Sequence, residues 1–435
     1  DNKSRAFALG VSAAAAAVAG AVAGAVWSQT RRSGSRTGSD EPHCPARPEL
    51  PLSEVETPAL VLDLDAAESN MHSLDQHMSA FPGVRVRPHA KSHKCPELAK
   101  IQLKSPFTRG MCCAKVSEAE AMVRGGVLDV YLANEVVAPE KMKRMLNLAV
   151  HHGAHISVCV DSAENVRMWG RLVEEEAKGL EELSVVVEIN VGQNRCGVET
   201  PEQAVALAKL IASTPRLRFA GIQAYQGAAQ HIRSAKTRGA TVDRVTQVAR
   251  EVVAALRAAG LECPLVTGAG TGTFPFEAGS GVFNEIQPGS YVFMDVDYSL
   301  NPDSFFRNAL FVLATVISRN EAGKWAVVDA GLKSHSVDTG MPRLFRHYPA
   351  LGKGAPDDAT TARLIKDVRM ENGGDEHFKI VYPTYASVED MPNVGDKVLL
   401  IPNHCDPTVN MHNWLVAARG DRVEHVWRVH RGPGY

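Results

Sequence analysis

The sequence predicts an α/β protein, a (β/α)8 TIM barrel followed by a second, mostly β domain. From Thr57 onward, short apolar segments alternate with amphipathic helical segments, which is typical of a parallel sheet covered by helices. Eight segments with strand character run from residues 84–91 to residues 284–292, and eight parallel strands close a TIM barrel. After about residue 300, strand-like runs separated by turn residues replace the alternation.

The predicted elements follow one another in chain order. A first strand, "ALVLD", and a helix over residues 66–81 precede "VRVRPHAK", the first of the eight segments. The next are "MCCAK", "DVYLANEV", "HISVCVD", "SVVVEINV", "FAGIQAYQG", "PLVTGAG" and "NEIQPGSYV". The runs "NALFVLATVISRN", "KWAVVDAG", "HFKIVYP", "DKVLLIPN" and "WLVAARGDRVEHVWRV" belong to the predicted β domain. An open doubly wound sheet is the alternative, although no GxGxxG motif follows the first strand.

Composition limits the classes of function. The chain has 435 residues, of which 45% are hydrophobic and 22% charged, as in an ordinary globular enzyme. A net charge of −2 gives no indication of a nucleic-acid partner. The 8 cysteines form no CxxC pair, and a chain of this length needs no disulfide framework. We therefore expect a soluble catalytic part in a reducing compartment.

The N-terminal segment differs from the rest. Residues 6–27 carry no charge and consist mostly of Ala, Gly and Val, and no acidic residue occurs between Asp1 and Asp40. An organelle-targeting peptide, a membrane anchor and a secretory signal all remain open, although the apolar core is long for a secretory signal. We expect a targeting or anchor segment with a linker over residues 1–47, the barrel over 48–300 and the β domain over 301–435. Any membrane contact is expected through this segment only.

The segment "VRVRPHAK" carries unusual positive charge for a strand. Alternation puts Arg85, Arg87, His89 and Lys91 on one face. Lys91 then lies at the C-terminal end of the strand, where barrel enzymes build their active sites, whereas Lys94 falls beyond it. An exposed edge strand with a polar face is the alternative.

Polar side chains also follow three other predicted strands. Residues 267–274, "TGAGTGTF", are rich in Gly and Thr, so backbone N–H groups and hydroxyls could converge there on a phosphate. Gln193, Asn194 and Arg195 end one strand, and Tyr225, Gln226 and His231 follow another. Each group alone is equally compatible with a helix cap or a solvated loop.

A pair of candidate metal ligands occurs near the C-terminus. His404 and Asp406 are two residues apart, so they point the same way in an extended segment, while Cys405 faces the other side. An imidazole and a carboxylate suit Mn²⁺, Mg²⁺, Co²⁺ or Zn²⁺. A polar turn without a metal is the alternative.

Taken together, six motifs resemble the D-threonine aldolase and D-serine dehydratase family. The chain has "RPHAKSHK", "GQNRCGV", "QAYQGAAQH", "TGAGTGTF", "QPGSYVFMD" and "PNHCDPTVN" in the family's order, and the resemblance covers roughly residues 55–430. Members are fold-type III pyridoxal 5′-phosphate enzymes related to alanine racemase. The resemblance implies that "ALVLD" joins the C-terminal β domain and that the chain forms a homodimer.

The resemblance also implies roles for particular residues. Lys91 would hold the cofactor covalently, and Arg195 would approach its pyridine nitrogen. Tyr225 and Gln193 would line the cofactor. The cofactor phosphate would lie near four residues of the Gly/Thr-rich segment, namely Thr267, Gly268, Gly270 and Thr271.

The metal motif favours one branch of the family. The D-serine dehydratases have a His-x-Cys pair, whereas Asp406 replaces the thiolate here, so the resemblance favours Mn²⁺ or Mg²⁺ and a D-threonine aldolase. A shift of one residue would bring Cys405 into the site instead. The expected reaction cleaves D-threonine and related D-β-hydroxy amino acids to glycine and an aldehyde, with His231 as the base. A D-serine dehydratase and a non-catalytic cofactor carrier are the alternatives, and His93 and Lys94 have no assigned role.

Overall fold

The chain folds around two β-sheets. The computed structural model describes residues 42–348 and 366–432, and Cys44–Tyr435 form one compact unit. The segment over residues 6–27 lies outside the described residues, so its targeting or anchoring role stays a prediction. Within the described part of the chain, no helix has both the length and the apolar character that crossing a membrane requires.

The first sheet is the predicted barrel. Its eight strands are all parallel and follow the order β2-β9-β8-β7-β6-β5-β4-β3. Isolated parallel bridges from Val86 to Thr108 and from His89 to Cys112 join β2 to the segment leading into β3, so the two edges of the sheet meet. The strands are β2 (Arg85–Val86), β3 (Met111–Cys113), β4 (Asp129–Glu135), β5 (His155–Val160), β6 (Leu183–Glu188), β7 (Leu217–Ala224), β8 (Leu265–Gly268) and β9 (Glu285–Ile286).

Helices cover the outside of this barrel. They are α1 (Leu64–Met78), α2 (Pro96–Gln102), α3 (Val116–Arg124), α4 (Pro139–His152), α5 (Ala163–Glu176), α6 (Pro201–Ser213), α7 (Ala235–Ala258) and α8 (Phe274–Ala278), and the short helix α9 (Val296–Ser299) follows the last barrel strand. Local sequence sets their starts. The side chain of Ser162 accepts from the backbone N–H of Asn165 at α5, and Thr200 and Gln203 form a capping box at α6.

Alternation along the barrel strands separates two cores. In β6, Val185 and Val187 pack with the helices, including the buried Trp169 of α5. Val186 faces the other way and packs inside the barrel with Tyr131 and with three small residues, Cys112, Cys159 and Ala220. At this level the interior of the barrel is therefore filled with side chains.

The second sheet is the predicted β domain. It has nine strands, of which seven follow the order β13-β14-β11-β10-β1-β16-β17, while β15 pairs with β10 and β12. They are β1 (Ala59–Asp63), β10 (Leu310–Asn320), β11 (Trp325–Val328), β12 (Arg343–Tyr348), β13 (Arg369–Asn372), β14 (Phe378–Val381), β15 (Lys397–Ile401), β16 (Trp414–Arg419) and β17 (Arg422–Arg428), with helix α10 (Cys405–Val409) between β15 and β16.

The first strand lies inside this second sheet. β1 pairs antiparallel with β10 and parallel with β16. The sequence interpretation missed β12 and β13, because "RLFRHY" and "RMEN" contain too few apolar residues to show a strand pattern. The predicted boundary near residue 300 stays a prediction, since both sheets belong to one compact unit.

Candidate active site

One cavity gathers most of the predicted site residues. It has a volume of about 510 Å³ and lies at the carboxyl ends of the barrel strands, where loops after β2, β6, β7 and β8 meet the segment around α10. This size suits a cofactor together with a small substrate. Nine of the eleven predicted residues line it, namely Lys91, Gln193, Arg195, Tyr225, His231, Gly270, Thr271, His404 and Asp406.

Lys91 reaches the cavity from a helical turn and not from a strand. The predicted strand over residues 84–91 ends at Val86, and Ala90–Ser92 form a 3₁₀ turn. Pro88 has no N–H for a ladder, and the N–H of Lys94 donates to the carbonyl of Ala90 at 2.7 Å, which closes the turn. The expectation of a continuous strand was therefore wrong, although Lys91 still lies at its C-terminal end.

The two arginines that alternation put on the same face as Lys91 do not line the cavity. Arg85 is exposed, and Arg87 is buried below the cavity. The guanidinium of Arg87 donates to Glu285 at 3.0 Å and to Asp129 at 2.7 Å. Asp129 begins β4 and Glu285 begins β9, so this ion pair network joins both strands to the segment that follows β2.

The ammonium group of Lys91 faces a carboxylate across the cavity. Its Nζ lies 3.7 Å from Oδ2 of Asp406, and the lysine side chain is 42% exposed. Burial acts to lower the pKa of Lys91, but Asp406 together with smaller contributions from Tyr225 and other nearby groups outweighs it, and the pKa is raised. Burial, helped by the Lys91 cation, lowers the pKa of the nearby His89, which also lines the cavity.

His404 and Asp406 lie at the start of a helix. We expected an extended segment, but His404 is the N-cap residue of α10 and Asp406 lies in its first turn. The backbone N–H of Cys405 donates to the Asp295 carboxylate at 2.9 Å, and the Thr408 hydroxyl donates to the His404 carbonyl at 2.8 Å. These bonds start the helical turn, which still directs both side chains to the cavity.

Cys405 points away from the cavity. Its side chain is buried and does not belong to the cavity wall. Its thiol donates to Oδ1 of Asp406 at 3.3 Å, and burial raises its pKa well above the ordinary value. The structure therefore does not show the one-residue shift that would place the Cys405 thiolate beside His404.

The loop after β8 provides an unpartnered hydroxyl. Oγ1 of Thr271 is buried and has no hydrogen-bond partner among the described residues, yet Thr271 lines the cavity. A Cβ atom on Gly270 would lie 2.6 Å from Oε1 of Gln230, and one on Gly272 would lie 2.5 Å from the Gln230 carbonyl. Small residues therefore let this loop pass close to Gln230, as in an anion-binding loop.

Two residues of that motif do not line the cavity. Thr267 and Gly268 still belong to β8, and the loop begins only after them. The Thr267 hydroxyl donates to Glu285 at 2.9 Å, inside the barrel. A Cβ atom on Gly268 would lie 2.1 Å from the carbonyl oxygen of Ala224, so this glycine permits close strand packing. The expectation that both approach a phosphate is therefore not met.

Arg195 is held over an aromatic ring. Its guanidinium carbon lies 5.7 Å from the ring centroid of Tyr225, and Nη2 lies 3.5 Å from Oε1 of Glu188. Gln193 accepts from the backbone N–H of Gly227 at 2.6 Å. The loops after β6 and β7 thus support each other at this wall of the cavity.

His231 enters the cavity from the 3₁₀ turn Ala228–His231, which follows β7. Its Nδ1 is paired with the carboxylate of Asp297, and its ring centroid lies 5.7 Å from that of Tyr298.

Tyr298 is one of several wall residues that sequence reasoning missed, together with His89, Lys115, Asn134, Gln223, Gln287 and Ser290. Most of them lie at or just beyond the ends of barrel strands, and a search of all strand ends for polar residues would have identified them.

Lys94 and His93, the two residues of the lysine motif without an assigned role, do not line the cavity. Lys94 donates from Nζ to Asn410 at 2.7 Å and to the carbonyl of Gly432 at 3.1 Å, and lies 3.6 Å from Glu118. It therefore ties the barrel to the C-terminal segment. His93 is fully buried, and burial lowers its pKa to about 4.

Two further groups of potential metal ligands lie outside the predicted pair. Within the described residues, Glu135, Cys159 and Glu188 have ligand atoms within 4.8 Å of one another, and so do Glu135, Asp161 and Cys196. Burial and Glu188 raise the pKa of Glu135 to about 7. None of these five residues lines the cavity.

Comparisons with known proteins agree with this fold and cavity. The family model for the alanine racemase N-terminal domain matches residues 62–297, and a serine dehydratase domain model matches residues 309–418. A crystal structure of D-threonine aldolase from Filomicrobium marinum superposes with a TM-score of 0.80 at 42% identity, covering 89% of this chain and 98% of that one. The fold therefore defines a fold-type III enzyme related to alanine racemase.

Sequence relatives narrow the class. The 3-hydroxy-D-aspartate aldolase of Paracoccus denitrificans is 41% identical over 94% of this chain and 100% of the relative. A D-threonine aldolase of an Arthrobacter species is 39% identical over 88% and 95%. A D-threo-3-hydroxyaspartate dehydratase of a Delftia species is 28% identical over 87% and 98%. The chain belongs to the D-threonine aldolase and D-serine dehydratase family, and it is more similar to these aldolases than to this dehydratase.

Proposed function

We propose that this protein is a pyridoxal 5′-phosphate- and divalent-metal-dependent lyase that cleaves D-threonine and related D-β-hydroxy amino acids to glycine and an aldehyde. One observation carries the proposal. Within one cavity, the amine of Lys91 lies 3.7 Å from the carboxylate of Asp406, beside His404. A lysine able to hold the cofactor therefore faces a pair of metal ligands across a space that a small amino acid fits.

The cavity residues suit the cofactor. Lys91 supplies the amine for covalent attachment, and the unpartnered hydroxyl of Thr271 offers a donor to a phosphate oxygen. Arg195 presents a cation that Glu188 and the Tyr225 ring hold in place. When bound, the cofactor supplies an electron sink for the pair released at Cα, and the metal supplies a Lewis acid that makes a hydroxyl more acidic.

The donor set also suits a hard divalent ion. A carboxylate and an imidazole favour Mn²⁺ or Mg²⁺, and Zn²⁺ or Co²⁺ also accept such ligands. Nδ1 of His404 pairs with Asp338 at 2.8 Å, so Nε2 is left as the nitrogen that can bind a metal. Asp406 contributes the carboxylate, with the hydroxyl of Ser290 at 3.4 Å from its Oδ1.

His231 is the candidate base for the substrate β-hydroxyl. It lines the same cavity as Lys91, His404 and Asp406, and its Nδ1 is engaged with a carboxylate. Its Nε2 can therefore take the hydroxyl proton as the Cα–Cβ bond breaks, directly or through a water molecule. Loss of that proton lets the departing carbon leave as an aldehyde, and addition of a proton at Cα then gives glycine.

Substrate assays test the proposal. The purified protein, reconstituted with cofactor and Mn²⁺ or Mg²⁺, should release glycine from D-threonine or D-3-hydroxyaspartate. EDTA should remove the activity and Mn²⁺ or Mg²⁺ should restore it. Release of pyruvate and ammonia from D-serine, without glycine from either β-hydroxy acid, would instead identify a dehydratase. Full activity after complete removal of metal would exclude the metal role.

A further inference from the structure

The carboxylate of Asp297 engages the nitrogen of His231 that does not serve the proposed reaction. Asp297 lies in α9, whereas His231 ends the 3₁₀ turn after β7, so the contact joins two elements far apart in sequence. Oδ2 of Asp297 pairs with Nδ1 of His231. An ionised carboxylate only accepts hydrogen bonds, so Nδ1 carries a proton, and in the neutral imidazole the lone pair is then on Nε2.

Asp297 is itself fixed from several sides. Its other oxygen, Oδ1, accepts from Nη2 of Arg233, and Nη1 of Arg233 donates to the Asp297 carbonyl at 2.8 Å. The backbone N–H of Asp297 donates to the carbonyl of Asn403 at 3.2 Å. Its side chain is only 14% exposed. Both carboxylate oxygens are therefore committed, and the group has little freedom to rotate.

A second bridge fixes the segment that carries His231. Nη1 of Arg233 also donates to Oδ1 of Asn301 at 2.9 Å, and Nδ2 of Asn301 donates to the carbonyl of Gln230 at 3.0 Å. Gln230 directly precedes His231 in the chain. The imidazole is thus held through its own Nδ1 and through the backbone beside it, while its side chain stays 46% exposed towards the cavity.

We propose that Asp297 is a positioning residue that holds His231 in the Nδ1–H tautomer with Nε2 directed into the cavity, and that Arg233 fixes Asp297 in this role. The inference deepens the proposed function, because it rests on His231 acting as the base. The guanidinium of Arg233 partly neutralises the negative charge of the Asp297 carboxylate. The carboxylate therefore orients the imidazole, and the proton that Nε2 takes up stays on the ring.

A surface ion pair is the alternative interpretation of the same contact. An isolated exposed pair contributes little and leaves reaction rates unchanged. The two interpretations differ in what happens after Asp297→Asn. An asparagine can turn its NH₂ group towards Nδ1, which then accepts, and the proton moves to Nε2. Such an imidazole cannot act as a base at the atom that faces the cavity.

The first test reads the tautomer of His231 directly. Long-range ¹H–¹⁵N spectra of the Mg²⁺-loaded holoenzyme show which ring nitrogen carries the proton, and the His231→Asn variant assigns the signal. We expect the Nδ1–H tautomer in the wild type and a shift towards Nε2–H in Asp297→Asn. An Nε2–H wild-type ring, or a spectrum that Asp297→Asn leaves unchanged, would overturn the inference.

The second test is a double-mutant cycle on kcat. Asp297→Asn should lower kcat about 100- to 10,000-fold with little change in KM, since general-base catalysis contributes on that scale. In a His231→Asn background the same change should have no further effect, because the residue it positions is gone. Losses that multiply in the double variant would mean that Asp297 acts elsewhere and would contradict the proposal.

A matched control separates the loss of His231 positioning from the mere loss of a carboxylate–arginine ion pair. Glu182→Gln also replaces a carboxylate that accepts from an arginine, Arg218, and lies on the exposed surface outside the cavity. It should leave kcat unchanged.

If the wild type shows the Nδ1–H tautomer but releases no glycine, the proposed function fails while the pairing stands. If the tautomer is wrong in an active aldolase, only the pairing fails.

Discussion

Oδ2 of Asp338 lies 2.8 Å from Nδ1 of His404, across 66 residues of sequence. The contact turns the other nitrogen of the imidazole towards the cavity that Asp406 also lines. Ser336 donates to the same aspartate through its hydroxyl, so the carboxylate is oriented in turn. A carboxylate behind a metal-binding histidine fixes its tautomer and its ring orientation.

Removal of this support should weaken metal binding. Asp338→Asn should raise the Mn²⁺ concentration for half-maximal glycine release by about 10- to 100-fold, because such outer carboxylates contribute on that scale. Mn²⁺ titration of the EDTA-treated enzyme measures the effect, with the free-ion signal in electron paramagnetic resonance as a readout independent of activity. Glu376→Gln, which removes an exposed partner of Lys333, is the matched control. Equal affinity in Asp338→Asn and wild type would contradict the role.

The identity of the covalent lysine can be tested among three candidates. Lys91 and Lys115 both line the cavity, whereas Lys94 points to the C-terminal segment. Lys91→Ala should therefore abolish the long-wavelength absorbance of the bound cofactor, and Lys115→Ala should retain it. If Lys91→Ala keeps the band and Lys115→Ala loses it, the assignment to Lys91 is wrong.

Lys94→Met should keep the band and lose stability. The change leaves the buried carboxylate of Glu118 without the ammonium 3.6 Å away, and Glu118 is only 3% exposed. Breaking a buried pair by removing one partner typically costs about 3 to 5 kcal/mol. A urea titration followed by circular dichroism measures the shift. Unchanged stability would mean that Lys94 does not tie the barrel to the C-terminal segment.

Sequence patterns located the strand ends, and with them most of the site. Strand ends alone favoured Lys91, because the loops after parallel strands converge at one end of a barrel. Arg195, Tyr225 and His231 were open on the pattern alone, and the family resemblance made them site residues. The same reasoning placed Thr267 too far along its strand, because alternation does not show where β8 ends. It also overestimated the strand at residues 84–91, which Pro88 interrupts.

Residues that act through another side chain could not be predicted in this way. Asp338 and Asp297 reach His404 and His231 only because the second sheet and α9 fold over the barrel mouth. Nothing local marks either aspartate, since an Asp in a loop or at a helix start is ordinary. Arg87 shows the opposite kind of error. It shares a predicted strand face with Lys91, but its partners Asp129 and Glu285 give it a structural role.

The loop after β8 can be tested by removing one hydroxyl. Thr271→Val keeps the shape of the side chain but deletes the unpartnered Oγ1 that faces the cavity. A hydrogen bond to a charged group contributes about 1.5 to 3 kcal/mol, so the cofactor should bind about 10- to 100-fold more weakly. Titration of the apoenzyme with pyridoxal 5′-phosphate measures this. Thr241→Val, a helix residue outside the cavity, should bind like the wild type, and equal affinity in Thr271→Val would remove Thr271 from the phosphate site.

Glu277 lies behind the same loop and should make stability depend on pH. It is fully buried, its Oε1 accepts from the Thr273 hydroxyl at 2.8 Å, and its Oε2 has no partner among the described residues. Burial raises its pKa from 4.5 to about 7. The folded protein therefore keeps this proton to a higher pH than the unfolded chain, and the contribution of Glu277 to stability falls as the pH rises from about 4.5 to about 7.

Glu277→Gln should remove that dependence, because a glutamine stays neutral at every pH while its carbonyl can still accept from Thr273. The free energy of unfolding of the variant, relative to wild type, should rise between about pH 5 and about pH 8 by up to about 3 kcal/mol. Urea midpoints at several pH values measure it. Glu182→Gln, on the exposed surface, should show no such trend. A difference between Glu277→Gln and wild type that stays constant over this range would mean that Glu277 is ionised in the folded protein and that Oε2 has a partner, such as a bound water.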